Sequence, residues 1–160
     1  MSTFLPLAIR IDGKKILFVG GGELAMHKLQ AVLQFTDDIT VLDTLCSSEV
    51  SAAGVRVLNK TYEPSDLDGF FLVYACTPDE ALNHRVLEDA QQKGILCNIA
   101  DNRNDSDFIS PALFRHEGMT VSVSSDGRNA RRSVEWRNAI KELFLAKAEP
   151  TNTNSERNRQ

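Results

Sequence analysis

The sequence has no long hydrophobic run and only three cysteines, and both shortages exclude classes of protein. No apolar stretch approaches the roughly 20 residues that a transmembrane helix needs, and the first residues lack the regions of a secretory signal. Cys46, Cys76 and Cys97 form no Cys-x-x-Cys pair, so neither a disulfide framework nor a zinc site is expected. We therefore expect a cytoplasmic protein with reduced thiols and no resident metal.

Positive charge is also scarce. The chain carries 18 Lys and Arg against 22 Asp and Glu, a formal net charge of -4 at pH 7. This balance argues against nucleic acid or a membrane surface as a general partner. The local exception is a group of four arginines at the start of a predicted helix: Arg128, Arg131, Arg132 and Arg137. Such a group is usually a solvated surface, but cations there oppose the helix dipole, and a bound anion would offset that cost.

The most specific feature is a glycine cluster between a strand and a helix. Residues 15–19 form an apolar strand that runs into Gly20-Gly21-Gly22, and a helix with an apolar face begins directly afterwards. In a dinucleotide-binding turn the first glycine permits a tight bend, and the second lets the backbone approach the pyrophosphate. A small third residue, here Ala25, lets helix and strand pack while the helix N-terminus faces the anion.

An acidic residue completes this fingerprint. The strand at residues 39–42 ends at Asp43, about 20 residues beyond the glycines, where a carboxylate can accept the adenosine ribose hydroxyls. It would also repel a 2′-phosphate, so we expect NAD rather than NADP. The alternative is a strand–turn–helix without a ligand and a solvated Asp43. The residues expected to contact the cofactor are Gly20, Gly22, Glu23, Leu24, Asp43, Thr44 and Thr77.

Strands and helices alternate along the first two thirds of the chain. Further strands are expected at 55–58, 70–75 and 95–99, with a helix between the last two that ends at Gly94. Thr77 is its predicted N-cap, with Pro and Glu at the following positions of a capping box. Such alternation predicts the α/β class: a Rossmann-like parallel sheet with helices on both faces.

Asp101 directly follows the last of these strands. In a parallel sheet of this kind it would enter the crevice at the carboxyl ends of the strands, where the nicotinamide would lie. A carboxylate there can act as a general base beside a hydride acceptor. From position alone, a loop residue that caps a turn is an equal alternative.

The pattern changes after about residue 102. Two strands, 108–114 and 119–124, are expected to pair as a hairpin, and a helix is expected at 130–148. This unit has too little core to stand alone and should pack on the first domain or on a second subunit. The predicted organisation is therefore a nucleotide-binding domain at 1–109, a hairpin-plus-helix unit at 110–148 and a polar, disordered tail at 149–160.

An ordered series of motifs extends over about residues 5 to 145: Leu5-Pro6-Leu7, Gly13-Lys14-Lys15, Val19–Glu23, Ala75-Cys76-Thr77, Gly94–Asp101, Asp107-Phe108, Pro111-Ala112 and Val121–Ser125. In this combination the chain resembles the precorrin-2 dehydrogenase and sirohydrochlorin ferrochelatase family, which also forms the N-terminal part of bifunctional siroheme synthases.

The resemblance implies an enzyme of siroheme biosynthesis that oxidises precorrin-2 to sirohydrochlorin with NAD. Many members then insert ferrous iron, which would be a second substrate. It further implies that Asp101 acts in catalysis, that Ser125 lines the tetrapyrrole site and that the hairpin region forms an intertwined homodimer. The carboxylates of the substrate would suit the arginines. The expected substrate-binding residues are Asn98, Ser124, Ser125, Arg128 and Arg131.

Three departures from the family bear on activity. Where the family usually has two glycines, this chain has Asp126-Gly127, which puts negative charge near a polyanionic substrate. The family's longer members continue into a further helical region, whereas this chain stops near Ala148, and we expect no methyltransferase half. Dehydrogenation is therefore favoured over iron insertion. The alternatives are a regulatory NAD-binding module and a non-catalytic tetrapyrrole carrier; Asp101 and the arginines favour the enzyme.

Overall fold

The computed structural model describes residues 2–100 and 102–148. Contacts divide the chain into two compact units, and the division falls between Ser110 and Pro111. The predicted tail, 149–160, lies outside the described residues. The elements of the first unit are β1 (Lys15–Val19), α1 (Glu23–Val32), β2 (Ile39–Asp43), α2 (Ser48–Ser51), β3 (Arg56–Asn59), a 3₁₀ helix (Pro64–Leu67), β4 (Phe70–Ala75), α3 (Glu80–Gln92) and β5 (Leu96–Ile99). Those of the second unit are β6 (Ala112–His116), β7 (Met119–Val123) and α4 (Ala130–Ala148).

The first unit is built on one parallel sheet of five strands in the order β3-β2-β1-β4-β5. Val19, the last residue of β1, pairs with Leu42 of β2 on one side and with Ala75 of β4 on the other. The three strands therefore end at the same edge. The strand order changes direction beside β1, which is where ligands bind in open sheets of this type. The predicted Rossmann-like class is confirmed.

Successive residues of each strand supply two separate cores. Ile16 and Phe18 pack with α1 and α2, whereas Leu17 and Val19 pack with α3. Because the strands are buried on both faces, they are continuous apolar runs instead of alternating ones. Helices cover both faces of the sheet, as the sequence predicts.

The helix after β4 begins later than the sequence predicts. Asp79, not Thr77, is the N-cap of α3, and its carboxylate accepts from the N–H groups of Ala81 and Leu82 at 2.9 and 3.2 Å. The predicted capping box is therefore wrong. Thr77 is of a residue type that often caps helices, but its hydroxyl instead donates to Oδ1 of Asn83 at 2.7 Å.

The first hairpin strand also begins later than predicted, at Ala112 instead of residue 108. The reason is a competing partner for the preceding residues. The N–H of Asp107 donates to the carbonyl of Cys97 in β5, and the Asp107 carboxylate accepts from the N–H of Cys97, each at 2.9 Å. The segment before β6 thus lies along the open edge of the parallel sheet.

The second unit is an antiparallel hairpin with one helix. Phe114 and Phe144 meet edge to face at 5.7 Å, and Arg137 donates to the carbonyl of Leu113 at 3.0 Å. The hairpin covers only part of the apolar stripe of α4, so Trp136 and Leu143 remain 57% and 64% exposed. Within the described ranges, no helix is long and apolar enough to span a membrane.

Candidate functional site

The turn after β1 depends on Gly20. Its φ is +108°, and a Cβ there would lie 2.6 Å from the carbonyl carbon and oxygen of Cys76 and 2.9 Å from the nitrogen of Thr77. These are backbone atoms, so no side-chain movement could relieve the overlap. The ends of β1 and β4 are therefore in direct backbone contact, which brings Gly20 and Thr77 together as the sequence predicts.

Gly21 joins the same turn to the end of β2. Its N–H donates to Oδ2 of Asp43 at 2.7 Å, and its carbonyl accepts from the N–H of Ser47 at 2.8 Å. A Cβ at this position would overlap the thiol of Cys46. The glycine fingerprint does not require a glycine here, so the sequence gives no signal for this contact.

Gly22 differs from both because it faces open space. It is the N-cap of α1 and provides no side-chain hydrogen bond to the helix, and a Cβ there would meet nothing within 4 Å. The first N–H groups of a helix have no intrahelical partner, so this end can bind an anion. Glu23 and Leu24 form the first turn of α1, and Ala25 is fully buried against the sheet.

Asp43 lies at the end of β2 and is held by the surrounding loop. Besides Gly21, the hydroxyl of Thr44 and the N–H of Leu45 contact its Oδ1, each at 3.3 Å. A carboxylate has about four acceptor positions, so capacity for ribose hydroxyls remains. A cleft of about 610 Å³ adjoins it, lined by residues of the β2–α2 loop, of α2, of β3 and of the turn between these two elements: Thr44, Leu45, Cys46, Ser51, Val55, Val57 and Asn59.

Cys46 is the one thiol that lines this cleft. Burial and, secondarily, the charge of Asp43 raise the pKa of its thiol. The side chain is therefore a neutral thiol at physiological pH and presents a small apolar surface to the cleft.

Asp101, the predicted base, lies outside the described residues. The residues on either side of it are fixed at the end of β5. Ala100 donates to the carbonyl of Ala75 at 2.9 Å and Asn102 to that of Ile99 at 3.1 Å. The hydroxyl of Ser106 accepts from the N–H of Ile99 at 3.0 Å and donates to the carbonyl of Asn102 at 2.7 Å. Ser106 was not predicted as a site residue. Its contacts form only when the loop after β5 folds back onto the end of that strand, and no local pattern in the sequence shows this.

Asn98 lies in β5 and is 3% exposed. Its Nδ2 donates to the carbonyl of Phe108 at 2.8 Å, while its Oδ1 has no partner among the described residues. The amide therefore holds the segment that leaves β5. Its predicted contact with substrate stays a prediction.

The other predicted substrate residues belong to the loop between β7 and α4. The Oγ of Ser125 accepts from the N–H of Asn129 at 2.9 Å and lies 3.1 Å from the Oγ of Ser133, and the Oγ of Ser124 accepts from the N–H of Asp126 at 3.2 Å. The side chain of Asn129 accepts from the N–H of Arg132 at 2.9 Å, as an N-cap does.

Asp126 stands where the resembled family usually has a glycine. Its φ is +53° and that of Gly127 is +69°, so two successive residues adopt the left-handed conformation. Aspartate is among the few residues that tolerate it, which explains how the chain keeps this turn without the first glycine. The Asp126 carboxylate lies 3.8 Å from Arg128, and Arg131 pairs with Glu135 at 3.1 Å. Two arginines of the cluster are therefore partly neutralised.

No group of three or more His, Cys, Asp or Glu side chains in the described part of the chain is arranged to hold a metal ion. The features that do converge are the glycine turn, the free N-terminus of α1 and the carboxylate of Asp43. Together they define a dinucleotide-binding domain of the Rossmann-like class.

Comparison with known proteins gives the family. A model of NAD(P)-binding proteins matches residues 7–112. The chain is 38% identical over 136 residues to a multifunctional siroheme biosynthesis protein of Ruminiclostridium josui (81% of this chain, 26% of the relative) and 37% identical over 128 residues to the siroheme synthase of Sodalis glossinidius (78% and 27%). The chain therefore belongs to this NAD(P)-binding family, and within it is similar to siroheme synthase proteins.

The matched relatives are much longer than this chain, which spans about a quarter of their length. A solved structure of a precorrin-2 dehydrogenase superimposes with a TM-score of 0.71 at 24% identity and covers 90% of this chain and 70% of that one. This likeness concerns the fold. The cofactor of the family, NAD(P), suits the residues at the glycine turn, since Gly22 leaves open space before an uncapped helix.

Proposed function

We propose that this protein binds NAD and oxidises precorrin-2 to sirohydrochlorin in siroheme biosynthesis. The observation that carries the proposal is the open, uncapped N-terminus of α1 beside Asp43, in a chain related to siroheme synthases along most of its length. The reaction removes a hydride and a proton from the substrate. NAD, when bound, accepts the hydride, and the protein must position both reactants and take the proton.

The residues of the first unit would hold the cofactor. The N–H groups at the start of α1 would bind the pyrophosphate, and Asp43 would accept hydrogen bonds from the adenosine ribose. The adjoining cleft, with Cys46 and Val57, offers an apolar surface for the adenine. The negative charge of Asp43 favours NAD, because a 2′-phosphate would be repelled.

Asp101 is the proposed base, because it matches the catalytic aspartate of the family and follows β5 at the carboxyl edge of the sheet. Arg128 and Arg131 are proposed to bind carboxylates of the tetrapyrrole, with Ser124, Ser125 and Asn98 as further ligands. Their acidic neighbours Asp126 and Glu135 would have to be displaced or tolerated.

We also propose a cytoplasmic homodimer. The exposed apolar side chains of α4 support the dimer, because they leave a hydrophobic surface that a second copy could cover. Insertion of ferrous iron into the product is a further proposed activity, with iron as a substrate.

The decisive experiment is NAD-dependent oxidation of enzymatically generated precorrin-2 under anaerobic conditions, followed by absorbance. We expect turnover by the wild type and its loss in Asp101→Asn. Asp105→Asn is the control, because it changes another carboxylate of the same loop. Binding of NAD without turnover would favour a regulatory module, and binding of the tetrapyrrole without turnover would favour a carrier. Ferrous iron added to the product tests chelation separately.

Cofactor preference has its own test. Asp43→Asn removes the charge but keeps an oxygen that can accept from the N–H of Gly21, so the turn should persist. We expect the affinity for NAD to fall about tenfold and the affinity for NADP to rise relative to it. An unchanged ratio of the two dissociation constants, measured by calorimetry, would contradict the proposed role of Asp43.

A further inference from the structure

The buried face of α3 contains one polar side chain. Asn83 is 5% exposed and shares that face with Val86, Leu87 and Ala90, which belong to the core on that side of the sheet. An amide in such surroundings costs free energy unless its hydrogen bonds are made. The hydrogen bonds of Asn83 therefore show what this polar side chain does at a buried position.

Three side-chain hydrogen bonds of Asn83 go to a single residue, Thr77. Its Oδ1 accepts from the N–H of Thr77 at 3.1 Å and from the Thr77 hydroxyl at 2.7 Å. Its Nδ2 donates to the carbonyl of Thr77 at 2.9 Å. The side-chain amide thus pairs with both backbone groups of Thr77, much as a neighbouring strand would, although Thr77 lies beyond the end of β4.

Thr77 is where β4 touches the glycine turn. The Cys76–Thr77 peptide lies against Gly20, at a distance that admits no Cβ. A shift of this peptide would change the space available to the turn before α1. The position of Thr77 is therefore coupled by direct contact to the backbone that faces the proposed pyrophosphate.

We infer that Asn83 is a positioning residue of the cofactor site. It acts through Thr77: its amide holds the Cys76–Thr77 peptide against Gly20 and so maintains the turn in its binding conformation. This inference rests on the proposed binding of NAD and not on the proposed oxidation of precorrin-2.

The test measures dinucleotide affinity directly, by calorimetric titration of the full chain with NAD. Asn83→Leu has the same branched shape with the same number of side-chain heavy atoms and removes all three contacts. We expect its dissociation constant for NAD to rise at least about tenfold. Amide hydrogen exchange should accelerate at Thr77, while β1 and β4 stay protected. A role limited to stability would lower the melting temperature without these two local changes.

Tyr62→Phe is the matched control. The Tyr62 hydroxyl donates to Asp89 of α3 at 3.0 Å, so this change also removes a hydrogen bond between a largely buried side chain and the same helix, at a distance from Thr77 in the sequence. We expect a lower melting temperature, an unchanged affinity for NAD and normal exchange at Thr77. An equal loss of affinity in the control would overturn the inference.

One further variant keeps the test decisive. Asn83→Asp retains the shape and the acceptor contacts, but a carboxylate oxygen replaces the donor to the Thr77 carbonyl and repels it. This variant introduces no apolar side chain, so it tests the same contact independently of Asn83→Leu. We expect its dissociation constant to rise at least about threefold.

The outcomes separate the two proposals. Unchanged affinity in Asn83→Asp overturns the inference, as does a wild type that binds no NAD. Weaker binding in the Asn83 variants supports it even where precorrin-2 is not oxidised, and that result would contradict only the proposed function.

Discussion

At the scale of single residues, three adjacent glycines meet three different physical requirements. Gly20 is required by backbone contact and a positive φ, and Gly21 by the thiol of Cys46. Gly22 has an ordinary extended conformation and faces open space. The first two requirements come from the protein itself. The third arises only when a ligand occupies the space before α1.

Substitution by alanine should therefore separate folding from binding. Gly20→Ala forces a Cβ against the backbone of Cys76 and strains φ, so we expect the free energy of unfolding to fall by roughly 3 kcal/mol. Gly22→Ala should change it by less than about 1 kcal/mol yet weaken NAD binding, because its methyl group enters the cofactor space. Urea unfolding and calorimetry check the pair. A Gly22→Ala variant that binds NAD normally would contradict the proposed position of the pyrophosphate.

Cys97 gives the stability a predictable pH dependence. Burial, followed by the charge of Asp107, raises the pKa of its thiol to about 12. An unfolded cysteine loses its proton near pH 8.5, so between about pH 8.5 and 12 only the unfolded chain releases it. The stabilisation is therefore complete below about pH 8.5 and is lost as the pH rises, by at most about 1.4 kcal/mol per pH unit.

Urea unfolding of the wild type and of Cys97→Ala at about pH 8, 9 and 10 measures the contribution of this thiol to the pH dependence of stability. The variant lacks the ionising group, so its free energy of unfolding should fall less steeply with pH. Burial also raises the pKa values of Tyr62 and Tyr74, but both tyrosines are present in each protein. Parallel curves would show that Cys97 does not titrate as expected.

At the scale of elements, the sequence predicts the strands and helices that are long enough to show a hydrophobic period or a continuous apolar run. The long strands and α1, α3 and α4 are found because apolar residues recur over several turns or fill a buried strand. The four-residue helix Ser48–Ser51 is too short to show a period. The start of β6 was misplaced because Asp107 pairs with Cys97, a partner ten positions away that no local pattern reveals.

The cap of α3 shows the same limit. Thr77 and Glu80 satisfy the capping-box spacing, but the amide of Asn83 engages Thr77 and Asp79 takes the cap position. We expect Asp79→Ala to lower the free energy of unfolding by about 1 kcal/mol, because the N–H groups of Ala81 and Leu82 lose their acceptor. Glu80→Ala is the comparison and should cost at most roughly half as much, through the helix dipole. Urea unfolding measures both changes. If Glu80→Ala lowered the free energy of unfolding more than Asp79→Ala, the result would favour the predicted capping box over the Asp79 cap.

The candidate site was predictable to the extent that it is local. Gly20, Gly22 and Asp43 follow from a fingerprint with fixed spacing. Asn83 does not, since a buried asparagine among apolar residues acquires a role only when its amide meets the end of another strand. Backbone contacts such as that of Gly20 with Cys76 likewise depend on the pairing of β1 with β4.

At the scale of the whole molecule, the two units differ in how they bury apolar surface. Both cores of the parallel sheet consist of residues before Ser110. The second unit leaves part of the apolar stripe of α4 uncovered. Residues 136, 140, 143 and 144 lie within a sector of about 100° on a helix, and the hairpin reaches only one side of that sector. The exposed side contains Trp136 and Leu143.

A homodimer would cover this side, and the composition of the chain provides a direct probe, because Trp136 is its single tryptophan. Its emission should shift to shorter wavelength as the protein concentration rises, and the sedimenting mass should approach twice 17.8 kDa. Burial of a large apolar side chain contributes roughly 1.5–3 kcal/mol, so Leu143→Lys should favour the monomer by at least tenfold in dissociation constant. Lys141→Ala, a change at an exposed polar position of the same helix, should leave association unchanged. A wild type that sediments as a monomer with concentration-independent emission would contradict the dimer and leave the exposed stripe of α4 to another partner.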